Sequence, residues 1–166
     1  MDIESVSANI IDLSTRHVWE YWCDKRSSSV APTWRDFELL DLFREAPSFQ
    51  VCDVSMNGDE FDFVYRFVGT EIVNSRARMA KPDFTGMHHK DVEYQYDFTV
   101  IYGAMCEAAG NCTPFHFIQN FDARDARGIQ ERLIMPLIDE DGQIDKLAVY
   151  RCRLESDQKY LFELNK

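Results

Sequence analysis

The sequence is poor in positive charge. Its 18 Lys and Arg residues are outnumbered by 29 Asp and Glu residues, so the formal net charge at pH 7 is -11. Proteins that bind nucleic acid present a basic stripe to the phosphates, and no run rich in Lys and Arg occurs here. The composition therefore argues against a nucleic-acid partner, and we attribute the acidity mainly to solubility.

Long apolar segments are also lacking. No run approaches the length of a membrane span, and the acidic stretch 1–14 has neither the charged nor the apolar region of a signal peptide. The cysteines are scattered and form no CxxC pair: Cys23, Cys52, Cys106, Cys112 and Cys152. Without an export signal, we expect reduced thiols packed in the core and a cytoplasmic protein.

The chain does contain enough apolar material for one globular domain. It has 166 residues, of which 45% are hydrophobic and 13% aromatic. A chain of this length buries a real core without disulfides or metals, and disorder would require far fewer apolar residues.

An aromatic strand is expected at the start of the stretch 61–86. Phe61, Phe63, Tyr65 and Phe67 recur at every second position, so all four rings are expected on one face. The strand is expected to end at Gly69-Thr70, where a helical pattern begins. So large an apolar surface needs a cover, which is either core side chains or a ligand.

The N-terminal part predicts helices. Residues 1–12 are expected to form a loose arm, and Ser14 is expected to cap a helix that runs to about Arg26. A second helix is expected over residues 33–46, with a capping-box pattern at its start. Its apolar positions have helical spacing: Phe37, Leu40 and Phe43.

The rest of the chain predicts a central block of helices and five strands. Asn57-Gly58 is a strong hairpin signal, and Gly110-Asn111 is a helix stop. The strands are expected at 49–56, 60–68, 114–121, 129–138 and 144–154, with short helices at 71–79 and a longer one from about 98 to 109. A charged loop at 122–128 separates the third and fourth strands. One antiparallel sheet with helices on one face accommodates these elements.

Several sequence words match a known family in the same order. They are Tyr21-Trp22, PTWRDFELLDL at 32–42, YRFVGTEIV at 65–73, FTG at 84–86, and RLIMPL at 132–137 with Gly142 after it. Through these words the chain resembles the PAS superfamily and, more narrowly, a group of small, mostly proteobacterial, often stand-alone PAS-like proteins. The resemblance covers about residues 17–153.

The resemblance implies an α+β fold, in which a five-stranded antiparallel sheet has the hairpin strands at its centre and helices over one face. It also implies a helical extension at 1–46, a PAS-like domain at 47–155 and a tail at 156–166. Members of the family are sensory or regulatory modules, many of which dimerise through N-terminal helices. In some of them a cavity between the sheet and the helices holds a small ligand.

The sequence departs from the family pattern in two places. Residues 78–82 (RMAKP) replace a shorter connection that contains glycine, and Arg153-Leu154 is not followed by the Asp-Ile-Thr that often joins a PAS domain to an effector. The second departure leads us to expect a stand-alone module without an effector domain.

Nine residues are candidates for lining a ligand pocket: Phe63, Tyr65, Phe67, Ile72, Phe84, Tyr102, Met105, Phe115 and Phe117. Ligand pockets are mainly apolar with a few polar groups, which the hydroxyls of Tyr65 and Tyr102 would supply. A filled core explains the same residues, because aromatic side chains dominate cores as well. In addition, Arg132 or Arg151 would bind a carboxylate or phosphate if either faced the cavity, but the strand parity leaves this open.

No metal site is expected, and the sequence identifies no cofactor. Adjacent histidines such as His88 and His89 diverge, and the Cys and His spacing matches no structural zinc site. Either histidine could be an axial haem ligand, as in some PAS sensors, but we do not expect haem. Asn111-Cys112 is only faintly similar to the Asn-Cys of flavin photosensors, because its position and the residues after it differ. On these grounds flavin photochemistry is rejected.

The leading hypothesis is a non-enzymatic sensory or regulatory module that binds a small ligand or a signalling protein. The stripe of Val18, Tyr21 and Trp22 is the candidate homodimer surface, unless it packs on the module's own sheet. The alternative is a small cone-shaped enzyme similar to nuclear transport factor 2, an isomerase or hydrolase. In such an enzyme His116 and a nearby Asp would be the acid–base pair. A ligand-free adaptor is a third interpretation.

Overall fold

Five antiparallel strands form one sheet in the computed structural model of the protein, which describes residues 3–94, 98–123 and 126–154. The strands are β1 Phe49–Asn57, β2 Glu60–Val68, β3 Phe115–Ala123, β4 Ala126–Ile138 and β5 Ile144–Arg153. The helices are α1 Ile3–Asn9, α2 Leu13–Arg26, α3 Thr70–Ser75 and α4 Thr99–Asn111, with 3-10 turns at Ala46–Ser48 and His89–Asp91. The predicted α+β class is confirmed. None of the described helices combines the length and the apolar character that crossing a membrane requires.

The strand order across the sheet is β2-β1-β5-β4-β3. β5 pairs with both β1 and β4, so the closing strand takes the centre and joins the hairpin to the meander of β3, β4 and β5. The β1–β2 hairpin therefore forms one side of the sheet, with β2 at the edge. The expectation that the hairpin strands lie at the centre is wrong.

A β-bulge divides β2 into two parts. The register shifts after Val51, which pairs with Phe67, because the next residue of β1 already pairs with Tyr65. Arg66 is thus an extra residue in β2, and a bulge of this kind reverses the face to which the following side chains point. The prediction that four alternating rings share one face is wrong for Phe67, which packs on the opposite side from Tyr65.

Helices cover both faces of the sheet. On the face that we call inner, α3 and α4 cover the inner cluster: Cys52, Phe63, Tyr65, Val68, Ile72, Phe84, Val92, Ile101, Ala104, Met105, Ala108, Ala109, Ile134, Leu147 and Val149. On the outer face, α1, α2 and the segment after α2 cover the outer cluster: Val6, Ile10, Val18, Trp19, Trp22, Ala31, Phe37, Leu42, Phe49, Leu133, Met135, Leu137, Ile138, Ala148 and Tyr150. Coverage on both faces explains why the stretch 133–138 is almost continuously apolar.

The N-terminal segment differs in part from the prediction. Residues 3–9 form α1, where a loose arm is predicted. The cap of α2 is Asp12, whose carboxylate accepts hydrogen bonds from the backbone N–H groups of Ser14 and Thr15. Ser14, the predicted cap, is therefore a donor to the cap. α2 ends at Arg26, as predicted.

The predicted second helix does not form, and residues 33–46 make a series of turns. One capping-box contact does exist, since the backbone N–H of Asp36 donates to the hydroxyl of Thr33 at 3.2 Å. However, two of the positions that are expected on an apolar helix face, Leu40 and Phe43, are 82% and 67% exposed. The helical spacing of these apolar residues is therefore misleading here.

The C-terminal third follows the prediction closely. β3 and β4 reach further into the predicted charged loop 122–128, to Ala123 and from Ala126. β5 begins at the predicted residue, Ile144. The predicted tail at 156–166 lies outside the described residues.

Candidate functional site

Eight of the nine predicted pocket residues come together on the inner face. They are Phe63, Tyr65, Ile72, Phe84, Tyr102, Met105, Phe115 and Phe117. Phe67 is the exception, because the bulge at Arg66 turns its ring to the outer cluster. The structure thus groups the aromatic residues as the sequence predicts, apart from this position.

The grouped rings pack against one another. The ring of Tyr65 meets that of Phe84 edge-on with centroids 4.6 Å apart, and Phe63 meets Tyr102 edge-on at 6.0 Å. These are the offset and edge-to-face arrangements that aromatic pairs prefer. Phe63, Tyr65 and Met105 are completely buried. The filled-core interpretation therefore describes the middle of the inner face.

The two tyrosine hydroxyls that were considered for a ligand bind other protein groups. The hydroxyl of Tyr65 is 2.7 Å from the hydroxyl of Tyr94. The hydroxyl of Tyr102 donates to the carbonyl of Phe61 at 3.2 Å. Its hydrogen bond with the Cys106 thiol, together with burial, raises the pKa of Tyr102 to about 12. Tyr102 is consequently a neutral donor at physiological pH.

Open space lies at the polar edge of the inner face. A cavity of about 20 Å³ is bordered by Gln50, Ile72, Ser75, Arg76, Phe84, Tyr94 and Arg151. This volume suits one or two water molecules, since each needs roughly 10–15 Å³ of accessible space. Two of the predicted pocket residues, Ile72 and Phe84, form its apolar wall, and the remaining wall is mainly polar.

Strand pairing shows which face of the sheet the side chains of Arg132 and Arg151 point to. Arg132 in β4 lies directly opposite Arg151 in β5, and the next pair on the same face, Ile134 and Val149, belongs to the inner cluster. Both arginines therefore face the inner side. Arg132 is 1% exposed, and its guanidinium donates to the side-chain carbonyl of Gln130 at 2.8 Å.

The adjacent histidines share one carboxylate at the rim. His88 Nδ1 is 2.7 Å from one carboxylate oxygen of Asp62, and His89 Nδ1 is 3.9 Å from the other. The His89 ring stacks on Tyr102 with centroids 4.5 Å apart, and burial lowers the pKa of His89. Within the described parts of the chain, no group of three or more His, Cys, Asp or Glu side chains is placed to hold a metal ion.

A second polar site lies on the outer face. Glu131, which is fully buried, accepts hydrogen bonds from the backbone N–H groups of Ile11 at 2.7 Å and Asp12 at 3.0 Å. The same carboxylate is 2.9 Å from Nε2 of His116. Ile11 and Asp12 form the connection between α1 and α2. Glu131 therefore attaches the N-terminal helices to β4.

Comparison with known proteins identifies the fold. A light-oxygen-voltage domain from a study with a flavin analogue is 14% identical, with a TM-score of 0.55 over 78% of this chain and 94% of that one. The dark structure of the light-oxygen-voltage domain of the blue-light photoreceptor Aureochrome1 is 13% identical, with a TM-score of 0.54 over 78% and 92%. Light-oxygen-voltage domains belong to the PAS superfamily. The chain has the PAS fold. No protein-family model matches it, and no curated protein matches it by sequence, so membership of the narrower proteobacterial group stays a prediction.

The rejection of flavin from the sequence is wrong. It rested on the residues around Asn111-Cys112, whereas the solved structures that share this fold include light-oxygen-voltage domains, one of them studied with a flavin analogue. The local motif is a poor guide because the fold is retained at identities of 14% and 13%, where short motifs need not survive.

The side chains on the inner face bear directly on whether a flavin fits in the observed arrangement. A ring system between sheet and helices would have to separate contacts such as Tyr65 with Phe84 and Phe63 with Tyr102. Cys112, the cysteine of the motif, packs against the outer cluster, on the other side of the sheet. The residues as they lie do not fit a flavin.

Sequence reasoning missed the polar edge of the inner face. None of Gln50, Ser75 and Arg76 is a candidate in the sequence. Gln50 lies in β1 whereas Ser75 and Arg76 lie at the end of α3, and only the folded chain brings these two places together. One signal was present, since Ser75 and Arg76 fall within the short helices predicted at 71–79 and lie at the C-terminal end of α3. The contact of Glu131 with the α1–α2 connection has no local signal, since the two partners are 119 and 120 residues apart.

Proposed function

We propose that this chain is a sensory or regulatory module without catalytic activity, in which a change on the inner face passes through the sheet to the N-terminal helices. The fold supports the sensory part, since the similar structures include a domain of a blue-light photoreceptor. One fold hosts many functions, so the proposal also needs a physical connection between the two faces of the sheet.

β4 is that connection. Its side chains alternate between the faces, with Ile134 in the inner cluster and Leu133 in the outer cluster. On the outer side, Glu131 binds two backbone N–H groups of the α1–α2 connection. Charge-assisted hydrogen bonds are short and directional, so a small displacement of β4 weakens them. The attachment of the N-terminal helices to β4 through Glu131 is the observation on which the proposal rests.

A ligand can shift the protein between an arrangement with the N-terminal helices attached to β4 and one with this attachment weakened. It does so only if it binds the two arrangements with different affinity. The inner face offers such a difference, because its rings fill the space that a larger ligand would take. Entry of a ligand would then displace Tyr65 of β2, which pairs with Cys52 of β1, or Phe84, which lies in the loop before α4. β5 and β4 lie next to β1 in the sheet and would transmit the displacement.

The enzyme alternative loses its candidate acid–base pair. His116 lies on the outer face with Glu131, and their side chains are 3% and 0% exposed. A substrate in the interior of a cone-shaped fold would not reach them. The position of the hairpin, at one side of the sheet, does not decide between the two folds. The similarity to light-oxygen-voltage domains favours the sensory function instead.

The homodimer stays a prediction, but its expected surface changes. Val18 and Trp22 are completely buried in the outer cluster, so they pack on the module's own sheet. A dimer through the N-terminal region would have to use other residues, such as the exposed Leu13, Leu40 and Phe43. Light scattering at micromolar concentration tests this, and a monomer would remove the dimer from the proposal.

Tryptophan emission can test the transmission. All three tryptophans of the chain lie at the outer face, Trp19 and Trp22 in the outer cluster and Trp34 packed against it. Native mass spectrometry of the purified protein will show any retained small molecule, flavin and haem included. We expect a retained molecule whose removal changes tryptophan emission although it binds on the inner face. Emission that stays unchanged on removal contradicts the transmission, and a protein that carries no molecule favours the ligand-free adaptor.

A further inference from the structure

Three arginines gather at one edge of the inner face, although the protein as a whole has a net charge of -11. Arg132 and Arg151 are opposite each other in β4 and β5, and Arg151 borders the 20 Å³ cavity together with Arg76. Like charges directly opposite in a sheet are destabilising. Two of the three are buried, since Arg76 is 7% and Arg132 is 1% exposed, so this acidic protein places guanidinium groups in its interior at this edge.

The protein orients two of these guanidinium groups. Arg151 donates from Nη2 to the hydroxyl of Ser75 at 2.7 Å, and that hydroxyl donates to the carbonyl of Ile72 at 2.7 Å. Arg76 donates from Nε to the carbonyl of Pro82 at 3.2 Å and from Nη2 to the carbonyl of Glu93 at 2.8 Å. Each guanidinium is thus fixed at the cavity wall by oxygen atoms of the protein.

Arg76 is buried without a counter-ion. It is 7% exposed and stacks over the Phe84 ring at 4.7 Å, and it makes no ion pair with any residue that the structure describes. Carbonyl oxygens carry only partial charge, so its positive charge is compensated incompletely. Buried charges are normally paired, and Arg is the residue whose planar fork matches a carboxylate.

We propose that this cavity is a site for the carboxylate group of a short organic acid, held by Arg76 and Arg151. Its size favours a flat carboxylate over a tetrahedral phosphate, because it has room for only one or two water molecules. Ile72 and the rings of Phe84 and Tyr94 form the apolar part of the wall. The volume accommodates only the acid group, so a longer apolar body would have to displace these side chains. The assignment rests on the proposed function only in naming this acid as the signal that the module senses.

Binding is tested on the full-length protein with sodium acetate, butyrate and benzoate as probes. Calorimetry and thermal unfolding are compared with sodium chloride and sodium phosphate at the same ionic strength. We expect at least one carboxylate to bind and raise the unfolding temperature beyond the effect of chloride. The Arg151→Gln variant is expected to bind it about ten- to a hundredfold more weakly, since it loses a charge-assisted hydrogen bond.

Arg66→Gln is the matched control. Arg66 is an arginine of the same sheet, but it is half exposed and pairs with Asp53 at 2.7 Å, away from the cavity. This variant is expected to bind the carboxylate with unchanged affinity. If Arg151→Gln does not fold, Ser75→Ala replaces it. That variant removes only the hydroxyl that orients Arg151 and is expected to weaken binding several-fold.

Three results would overturn the assignment: no carboxylate binds better than chloride, phosphate binds while the carboxylates do not, or the Arg151 and Ser75 variants bind as tightly as the original protein. Tryptophan emission separates this site from the proposed transmission. Carboxylate binding without a change in emission leaves the site intact and contradicts the transmission. If the protein binds no carboxylate but a substitution on the inner face changes tryptophan emission, the carboxylate site is wrong and the transmission is supported.

Discussion

Glu131 is the residue on which the attachment of the N-terminal helices depends. It is fully buried and accepts hydrogen bonds from Ile11, Asp12 and the His116 ring. In Glu131→Gln the charge is lost and one oxygen becomes a donor that faces donors. We expect this variant to lose about 1–3 kcal/mol of unfolding free energy, measured by urea denaturation.

The same variant has a local readout. Amide hydrogen exchange at Ile11 and Asp12 is expected to accelerate by at least about fivefold, because both N–H groups lose a charged acceptor. Glu107→Gln, at an exposed position of α4, is the control and is expected to change neither stability nor exchange. Slow exchange at Ile11 in Glu131→Gln would show that the carboxylate does not hold the connection.

His89 is expected to make stability depend on pH. Burial is the largest cause that lowers its pKa, so the folded protein disfavours its protonated form. In the unfolded chain the group binds a proton at pH values below about 6.5. The unfolded state therefore binds more protons in this window, and stability is lost as the pH falls below about 6.5. We expect the loss between pH 7 and pH 5.5 to be smaller in His89→Gln, measured by denaturation at each pH, and an equal loss would refute this role.

At the scale of elements, the passage from β2 into α3 depends on Gly69. A Cβ at this position would lie 2.2 Å from the carbonyl oxygen of Pro47, and the Gly69 N–H donates to the carbonyl of Phe49 at 2.8 Å. Two backbone segments thus approach closely where only glycine fits. We expect Gly69→Ala to cost about 1–3 kcal/mol of unfolding free energy, since backbone has to move.

Gly103→Ala is a control that is expected to change the unfolding free energy in the opposite direction. Gly103 lies in α4, and a Cβ there would meet nothing within 4 Å. Alanine in an open helical position is expected to stabilise the protein by about 0.5–1 kcal/mol, measured by the same denaturation. A Gly69→Ala variant as stable as the original protein would contradict the close approach.

Local patterns predicted the strands well and failed where tertiary packing decides. The Asn57-Gly58 turn forms with Gly58 at a φ of 64°, which is costly for residues other than glycine. In contrast, the helix predicted after Thr33 is absent. Phe37 and Leu42, five residues apart, are both buried in the outer cluster, and no helix presents positions five apart on one face. Burial of this pair overrides the local helical spacing.

The candidate site could be predicted only in part, for the same reason. Alternation groups Phe63 with Tyr65, but a single extra residue, Arg66, removes Phe67 from their face, and nothing in the sequence marks the bulge. The parity of Arg132 was undecidable because β4 is apolar on both faces. The site at the polar edge depends on contacts between β1, β5 and the end of α3, which no local pattern records.

On the scale of the whole molecule, the sheet lies between two apolar clusters, which share no side chain among the residues that the structure describes. Its central strand, β5, contributes Leu147 and Val149 to one cluster and Ala148 and Tyr150 to the other. A displacement of the sheet is therefore felt on both sides, because interiors are densely packed. The predicted division into 1–46, 47–155 and 156–166 stays a prediction, but residues 3–46 already depend on the sheet for their burial.

Tryptophan emission of inner-face variants shows whether a change on the inner face passes through the sheet to the outer face. Met105→Ala removes a completely buried side chain of α4 from the inner cluster, which contains no tryptophan, and Val100→Ala changes an exposed residue of the same helix. We expect Met105→Ala to alter the emission of Trp19 and Trp22 in the folded protein, whereas Val100→Ala leaves it unchanged. Emission identical to that of the original protein in a folded but destabilised Met105→Ala variant would contradict it.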